Sequence, residues 1–147
     1  MLVKQILSLK AAGAPEIVTI ASDATVADAA RLLAEKRIGA IVVSDDGARP
    51  AGILSERDIV RELSKQGADV LQRPVSELMT RKVSTCLTGE DTLAVLERMT
   101  EGRFRHLPVV DEDGNMLGIV SIGDAVSARL KELSDEKDAL TGMIMGS

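Results

Sequence analysis

Apolar residues at Val26, Ala29, Ala30 and Leu33 recur at helical spacing behind Thr25, and Leu93, Leu96 and Met99 do the same behind Thr92. Each set predicts an amphipathic helix with one buried stripe, and Thr25 and Thr92 have the chemistry of N-caps. β-rich runs flank both helices: Ile17 to Ile20 and Val83 to Leu87 before them, Ile38 to Val43 and Leu107 to Val110 after. Turns rich in Asp and Gly then lead to Gly52–Leu54 and Met116–Val120, which read as returning hairpin strands, and closing helices start at Ser55 and Ser121.

The pattern is a duplication, visible when the chain is laid against itself at a shift of 66 to 67 residues. Thr25-Val26 matches Thr92-Leu93, Val42-Val43 matches Val109-Val110, and Gly47 matches Gly114. Gly52-Ile53-Leu54-Ser55-Glu56-Arg57-Asp58 matches Gly118-Ile119-Val120-Ser121-Ile122-Gly123-Asp124. A shift of 67 up to the turn glycine and 66 after it assigns one extra residue to the first turn. The fold class is α/β (α+β): two tandem βαββα repeats, followed by a C-terminal amphipathic helix marked by Val126, Leu130, Leu133, Leu140 and Ile144. Residues 1–66 are expected to hold the first repeat with an N-terminal helix, 67–82 a linker, and 83–147 the second repeat with the terminal helix. Ser76 is expected to cap a helical turn in the linker. Repeats of about 60 residues are marginal alone, so they are expected to pack face to face and bury their sheets together.

Composition narrows the function. Phe104 is the only aromatic residue in the chain, so the core is aliphatic and no stacking platform for bases exists. With 23 acidic and 18 basic residues the net charge is −5, which repels a phosphate backbone and argues against nucleic acid as a partner. Cys86 stands alone, excluding an internal disulfide or a multi-cysteine zinc site and suiting a reducing compartment, so a cytoplasmic location is expected. Residues 1–10 lack the apolar core of a secretory signal, and no run approaches the roughly 18 apolar residues of a membrane span.

The repeated GILSERD and GIVSIGD segments, the RHLPVV run from Arg105 to Val110 and the Leu78-Met79-Thr80 turn resemble a tandem pair of CBS domains, the Bateman module of the cystathionine β-synthase domain family. The resemblance covers nearly the whole chain. It implies two repeats related by a pseudo-twofold axis, assembled as a homodimer, with clefts for AMP, ADP, ATP, NAD(H) or, in some members, S-adenosylmethionine. It also implies a regulatory role toward another protein, not catalysis, with no cofactor required.

Asp58 and Asp124 carry the ligand reading, because a carboxylate at a helix start can accept hydrogen bonds from both hydroxyls of a ribose. Ser55-x-x-Asp58 and Ser121-x-x-Asp124 also have the spacing of capping boxes, which would use the same atoms to finish the helix. The resemblance places both acids at the ribose position. A phosphate near either helix start needs a cation. Arg57 supplies one in the first copy, and Arg103, Arg105 and His106 in the second. By family position the adenine walls are Ile38, Gly39, Ala40 and Ile41 in the first copy and Leu107 and Pro108 in the second, with Thr19, Thr85 and Cys86 able to line the slot.

Other chemistries fit less well. Asp111-Glu112-Asp113-Gly114-Asn115 begins like a calcium loop, but its glycine comes early and a strand follows. Cys86 and His106 have no third orienting group, and no Gly-rich phosphate loop ending in Lys-Ser/Thr occurs. Two readings therefore stand: a regulatory sensor of an adenine-containing small molecule, and a structural dimerisation module with empty clefts.

Overall fold

The computed structural model describes residues 1–11 and 17–145. The first half runs α1 (Val3–Ala11), β1 (Thr19–Ile20), α2 (Val26–Lys36), β2 (Ala40–Val43), β3 (Gly52–Ser55) and α3 (Glu56–Gln66). Two short 3-10 turns, Ala68–Gln72 and Val75–Glu77, connect it to β4 (Cys86–Leu87), α4 (Thr92–Gly102), β5 (His106–Val110), β6 (Met116–Ser121) and α5 (Ile122–Met145). Each half holds a three-stranded sheet in which the first strand runs parallel to the second and the third returns antiparallel, so the mixed α/β duplication is present as expected.

The register of the duplication differs from the sequence alignment. Ile20 pairs with Val43 as Cys86 pairs with Val109, and Val43 pairs with Gly52 as Val109 pairs with Gly118. Arg37 and Arg103 both close their helices in the left-handed conformation. These equivalences all fall at a single shift of 66, so neither hairpin carries an extra residue. Gly47 and Gly114, both at positive φ, occupy different positions within loops of equal length. Aligning them displaced everything before the turn by one residue, which in a strand exchanges one face for the other.

The same correction moves a helix cap. Thr25 caps α2 in a reciprocal box with Asp28. Its structural counterpart is Asp91, whose carboxylate accepts from Leu93 N, while Thr92 is fully buried and donates its hydroxyl to Met1 O at 2.6 Å. Ser76 caps nothing. It lies inside the 3-10 turn Val75–Glu77, whose N-cap position is Pro74, and its amide donates to Ser22 O at 3.0 Å. Asp111 closes the second hairpin, with Oδ1 accepting from the amides of Asp113 and Asn115 at 2.9 Å each.

The sheets do not merge into one core. Two separate aliphatic clusters form, and each is completed by a segment from outside its own repeat. Val3 and Ile6 of α1 are buried with Val95, Met99, Leu107, Val109 and Val120 of the second repeat. Val70, Val75 and Leu78, from the expected linker, are buried with Val26, Leu33, Ile41 and Leu54 of the first. Backbone bonds reproduce the exchange: Val75 N donates to Ala24 O and Val26 N to Arg73 O, while Val3 N donates to Glu90 O and Thr92 N to Met1 O. This reciprocity is what a pseudo-twofold relation requires. Burying a Val, Leu or Ile side chain is worth about 1.5–3 kcal/mol, so each crossing segment contributes several kcal/mol to the repeat it completes.

Both crossing segments press on a strand glycine. A Cβ at Gly52 would lie 2.5 Å from Met79 Sδ and 3.0 Å from the backbone oxygen of Thr80, whose amide and carbonyl both bond Ile53. A Cβ at Gly118 would meet only the Leu7 side chain, at 2.8 Å. Side-chain ends rotate away and paired backbone does not. Gly52→Ala is therefore expected to destabilise by about 1–3 kcal/mol and Gly118→Ala by less, which urea denaturation of the two variants will compare; an equal or reversed order would contradict this packing.

Candidate functional site

Where the repeats face each other a cavity of about 610 Å³ opens, a size suited to a small-molecule ligand. The first repeat lines it with Ile17, Val18, Ile38, Gly39, Ala40 and Val42, and the end of α2 adds Lys36 and Arg37. The second repeat contributes His106, Leu117, Gly118, Ile119, Ser121 and Asp124, and α1 contributes Leu7 and Lys10. The apolar wall of one repeat thus faces the helix-start acid of the other.

The two acids begin from the same local geometry. Asp58 Oδ2 accepts from Ser55 N at 2.9 Å and Asp58 N donates to Ser55 Oγ at 3.2 Å; the matching distances for Asp124 and Ser121 are 2.8 and 3.0 Å. Both are complete capping boxes, so the structural use of these residues is real. They differ in their second partner. Asp58 Oδ1 accepts from Arg61 Nη2 at 2.9 Å, one turn along its own helix, which occupies both of its oxygens. Asp124 receives Lys10 Nζ at 2.7 Å on the same Oδ2 that caps the helix, and its Oδ1 has no hydrogen-bond partner among the described residues. Lys10 Nζ also donates to Ile119 O at 2.7 Å, which ties α1 to the cavity floor.

Charge inside the cavity follows from these contacts. Burial raises the pKa of Asp124, but the hydrogen bonds from Lys10 and Ser121 outweigh it and hold the carboxyl below its ordinary value. For His106, burial lowers the pKa and the facing Asp124 opposes the shift; Lys10 and Arg105 lower it, whereas Glu56 raises it. Net, the imidazole is held below its usual value, with burial the largest cause. His106 lies against the first repeat, with its Nε2 3.4 Å from where a Cβ on Gly39 would stand.

Of the residues expected from sequence, Ile38, Gly39, Ala40, His106, Ser121 and Asp124 are brought together around the cavity. Ser55 and Asp58 cap α3 outside it, and Arg57, Arg103 and Arg105 are exposed and do not line it. Ile41, Cys86 and Leu107 are core residues at 1% exposure or less, and Pro108 is buried in β5. Burial raises the Cys86 thiol to about 12, with Glu90 adding to the effect, so it is a packing residue and not a nucleophile. Thr19 pairs with Val42 in its sheet, and the Thr85 carbonyl accepts from Arg98 Nη1 at 2.8 Å. Sequence reasoning missed Lys10, Lys36 and Arg37. Arg37 carried a usable signal, since it stands at the helix end where its own repeat turns into the expected adenine wall. Lys10 carried none, because its role depends on α1 packing against the other repeat.

The CBS domain family model matches residues 9–65 and 75–131, two spans offset by the same 66 residues that relate the strands. The mitochondrial CBS domain-containing protein CBSX3 of Arabidopsis thaliana is 36% identical over 129 residues, 85% of this chain and 62% of that protein's length. The chain therefore spans less than two thirds of that relative. The CBS-domain containing protein ATU1752 from Agrobacterium tumefaciens has a similar structure, with 41% identity and a TM-score of 0.81 over 88% of this chain and 99% of that one. Pyrobaculum aerophilum PAE2072, complexed with AMP, matches at 27% identity and TM-score 0.73 over 84% of this chain and 89% of that one. The CBS domain pair of MJ0100, in complex with 5′-methylthioadenosine and S-adenosyl-L-methionine, matches at 26% and 0.77 over 90% and 98%. With the duplication, the mixed sheets and the reciprocal packing all in place, this chain belongs to the CBS domain family and is a tandem pair of such domains.

Proposed function

We propose that the protein is a regulatory module, not a catalyst, that binds an adenine nucleotide in the cavity between its repeats. The observation that carries this reading is the pairing of an apolar wall, Ile38-Gly39-Ala40, with an acid whose Oδ1 is uncommitted, Asp124. Adenine packs on the wall, and the ribose hydroxyls donate to the carboxylate. Support comes from the structurally similar PAE2072 and MJ0100 pairs, whose ligands all contain adenosine. AMP, ADP, ATP and NAD(H) are the nucleotides to test. The Asp124 cleft is the stronger of the two, because Arg61 already holds the free oxygen of Asp58. A partner protein reads the ligand state, and the lone buried thiol is suited to a reducing compartment such as the cytoplasm.

A homodimer is part of the proposal. Val60 and Leu63 on α3, and Val126, Leu130 and Leu133 on α5, are exposed apolar residues at helical spacing; Val60 and Val126 are equivalent at the 66-residue shift. A second copy covers both stripes. Leu130 is 62% exposed, so Leu130→Asp adds a charge without disturbing the core, and light scattering is expected to show the dimer giving way to monomer. A wild-type monomer would remove this part of the reading.

Titration calorimetry and thermal shift with AMP, ADP, ATP, NADH and S-adenosylmethionine test the ligand. At 100 times Kd the bound compound is expected to add about 2.7 kcal/mol of stability. Asp124→Ala is expected to weaken binding roughly tenfold or more while costing on the order of 1 kcal/mol through the lost cap. The sensor reading fails if no adenine compound stabilises the protein.

His106 makes binding pH-dependent. Its pKa is depressed in the free protein, and a phosphate dianion beside the imidazole raises it, so the complex holds more protons between the free and bound values. Nucleotide affinity is therefore expected to rise as pH falls through that window. Calorimetry at about pH 6 in buffers of different ionisation enthalpy should detect proton uptake, abolished in His106→Gln; no uptake in the wild type would place the phosphate elsewhere.

A further inference from the structure

The cavity has an unequal charge lining. Lys10, Lys36 and Arg37 all border it, and Asp124 is the only acid among its lining residues. Arg37 stands at φ 54°, a left-handed backbone that ordinarily favours glycine or asparagine, where no polar contact of its side chain is recorded among the described residues. Of the three, Lys10 alone has a polar partner among the described residues. Its ammonium lies 2.7 Å from Asp124 Oδ2 and 2.7 Å from Ile119 O, with its side chain two thirds buried.

We infer that Lys10 is the specificity-determining residue of this cleft and that it selects adenine nucleotides carrying phosphate over adenine ligands that lack it. The inference rests on the adenine reading of the same cavity. A ribose whose hydroxyls donate to Asp124 Oδ1 shares that carboxylate's charge with Lys10 on Oδ2 and weakens the ion pair. The ammonium, less fully neutralised, borders the same cavity as Lys36 and Arg37, and like charges brought together need a counter-charge. A phosphate group supplies one in place. 5′-Methylthioadenosine is uncharged and supplies none. S-Adenosylmethionine adds a sulfonium of the same sign as the three side chains. The two ligand classes bound by related CBS pairs, AMP on one side and methylthioadenosine with S-adenosylmethionine on the other, are thus separated here by a residue of α1, the helix that completes the second repeat's core. The second acid has no such device, because its extra partner is Arg61 of its own helix.

The test is calorimetry of AMP, ADP, 5′-methylthioadenosine and S-adenosylmethionine on the full chain, on Lys10→Met and on Lys10→Arg. In the wild type AMP or ADP is expected to bind about tenfold or more tightly than either phosphate-free ligand, the scale of one charge-assisted hydrogen bond. Lys10→Met should weaken the nucleotides by about that factor and leave methylthioadenosine unchanged or tighter, so that the preference collapses. Lys10→Arg, which keeps the charge, should keep the order. A phosphate-free ligand binding as tightly as the nucleotides in the wild type overturns the inference and leaves the adenine reading standing. So does a preference that survives in Lys10→Met. Should Lys10→Met fold poorly, the wild-type order and Lys10→Arg still decide. If no adenine compound binds the wild type, the adenine reading falls and this inference with it.

Discussion

Everything in this molecule depends on one exchange: neither repeat closes its own core. A repeat built from a two-residue first strand, two short hairpin strands and two helices leaves one side of its sheet uncovered, and the chain covers it with the segment that precedes the other repeat. Val75 and Val3 are equivalent in this sense, each fully buried in the repeat to which it does not belong by sequence. The cost of leaving such aliphatic surface in water is what holds the two repeats as a pair. It also fixes the cavity, since the wall and the acid that face each other come from repeats locked by the crossing segments.

The parts of this arrangement that obey local rules were legible in the sequence. Helical stripes such as Val26, Ala29 and Leu33 state their own period, and turns such as Asp111 to Asn115 state theirs. The register was not. Val42-Val43 matches Val109-Val110 residue for residue at 67, whereas the true shift of 66 sets Val42 against Pro108, and strands buried on both faces have no alternation to correct the slip. The strand pairings and the helix ends decide it. The choice between Asp91 and Thr92 as cap was equally hidden, since both residue types cap helices and the difference lies in a buried carbonyl of Met1 that is remote in sequence. No local pattern says which core an amphipathic segment joins, so α1 and residues 68–78 could be recognised as apolar but not assigned.

The site was half legible for the same reason. Ser-x-x-Asp at a helix start fits a capping box and a ribose acceptor alike, and a formed cap still leaves a carboxylate with acceptor positions to spare. A carboxylate has two oxygens with about four acceptor positions. In Asp124 the cap and Lys10 share Oδ2, leaving Oδ1 without a partner among the described residues, whereas in Asp58 the cap takes one oxygen and Arg61 the other. Two identical motifs therefore differ in availability because of side chains that no motif contains.

That difference bears on how a ligand could be felt elsewhere. A ligand shifts a conformational equilibrium only as far as it binds the two states unequally. Asp58 is paired within its own helix, with Arg61 one turn on, so its partners tie it to no other element. The Asp124 cleft is tied through Lys10 to α1, and α1 is the element that completes the second repeat's core. In the proposed binding mode a ribose shares that carboxylate with Lys10, so binding acts on the packing of a helix, and the coupling is bounded by the strength of the ion pair. The duplication made the fold, but a single lysine of α1 makes the two acids unequal.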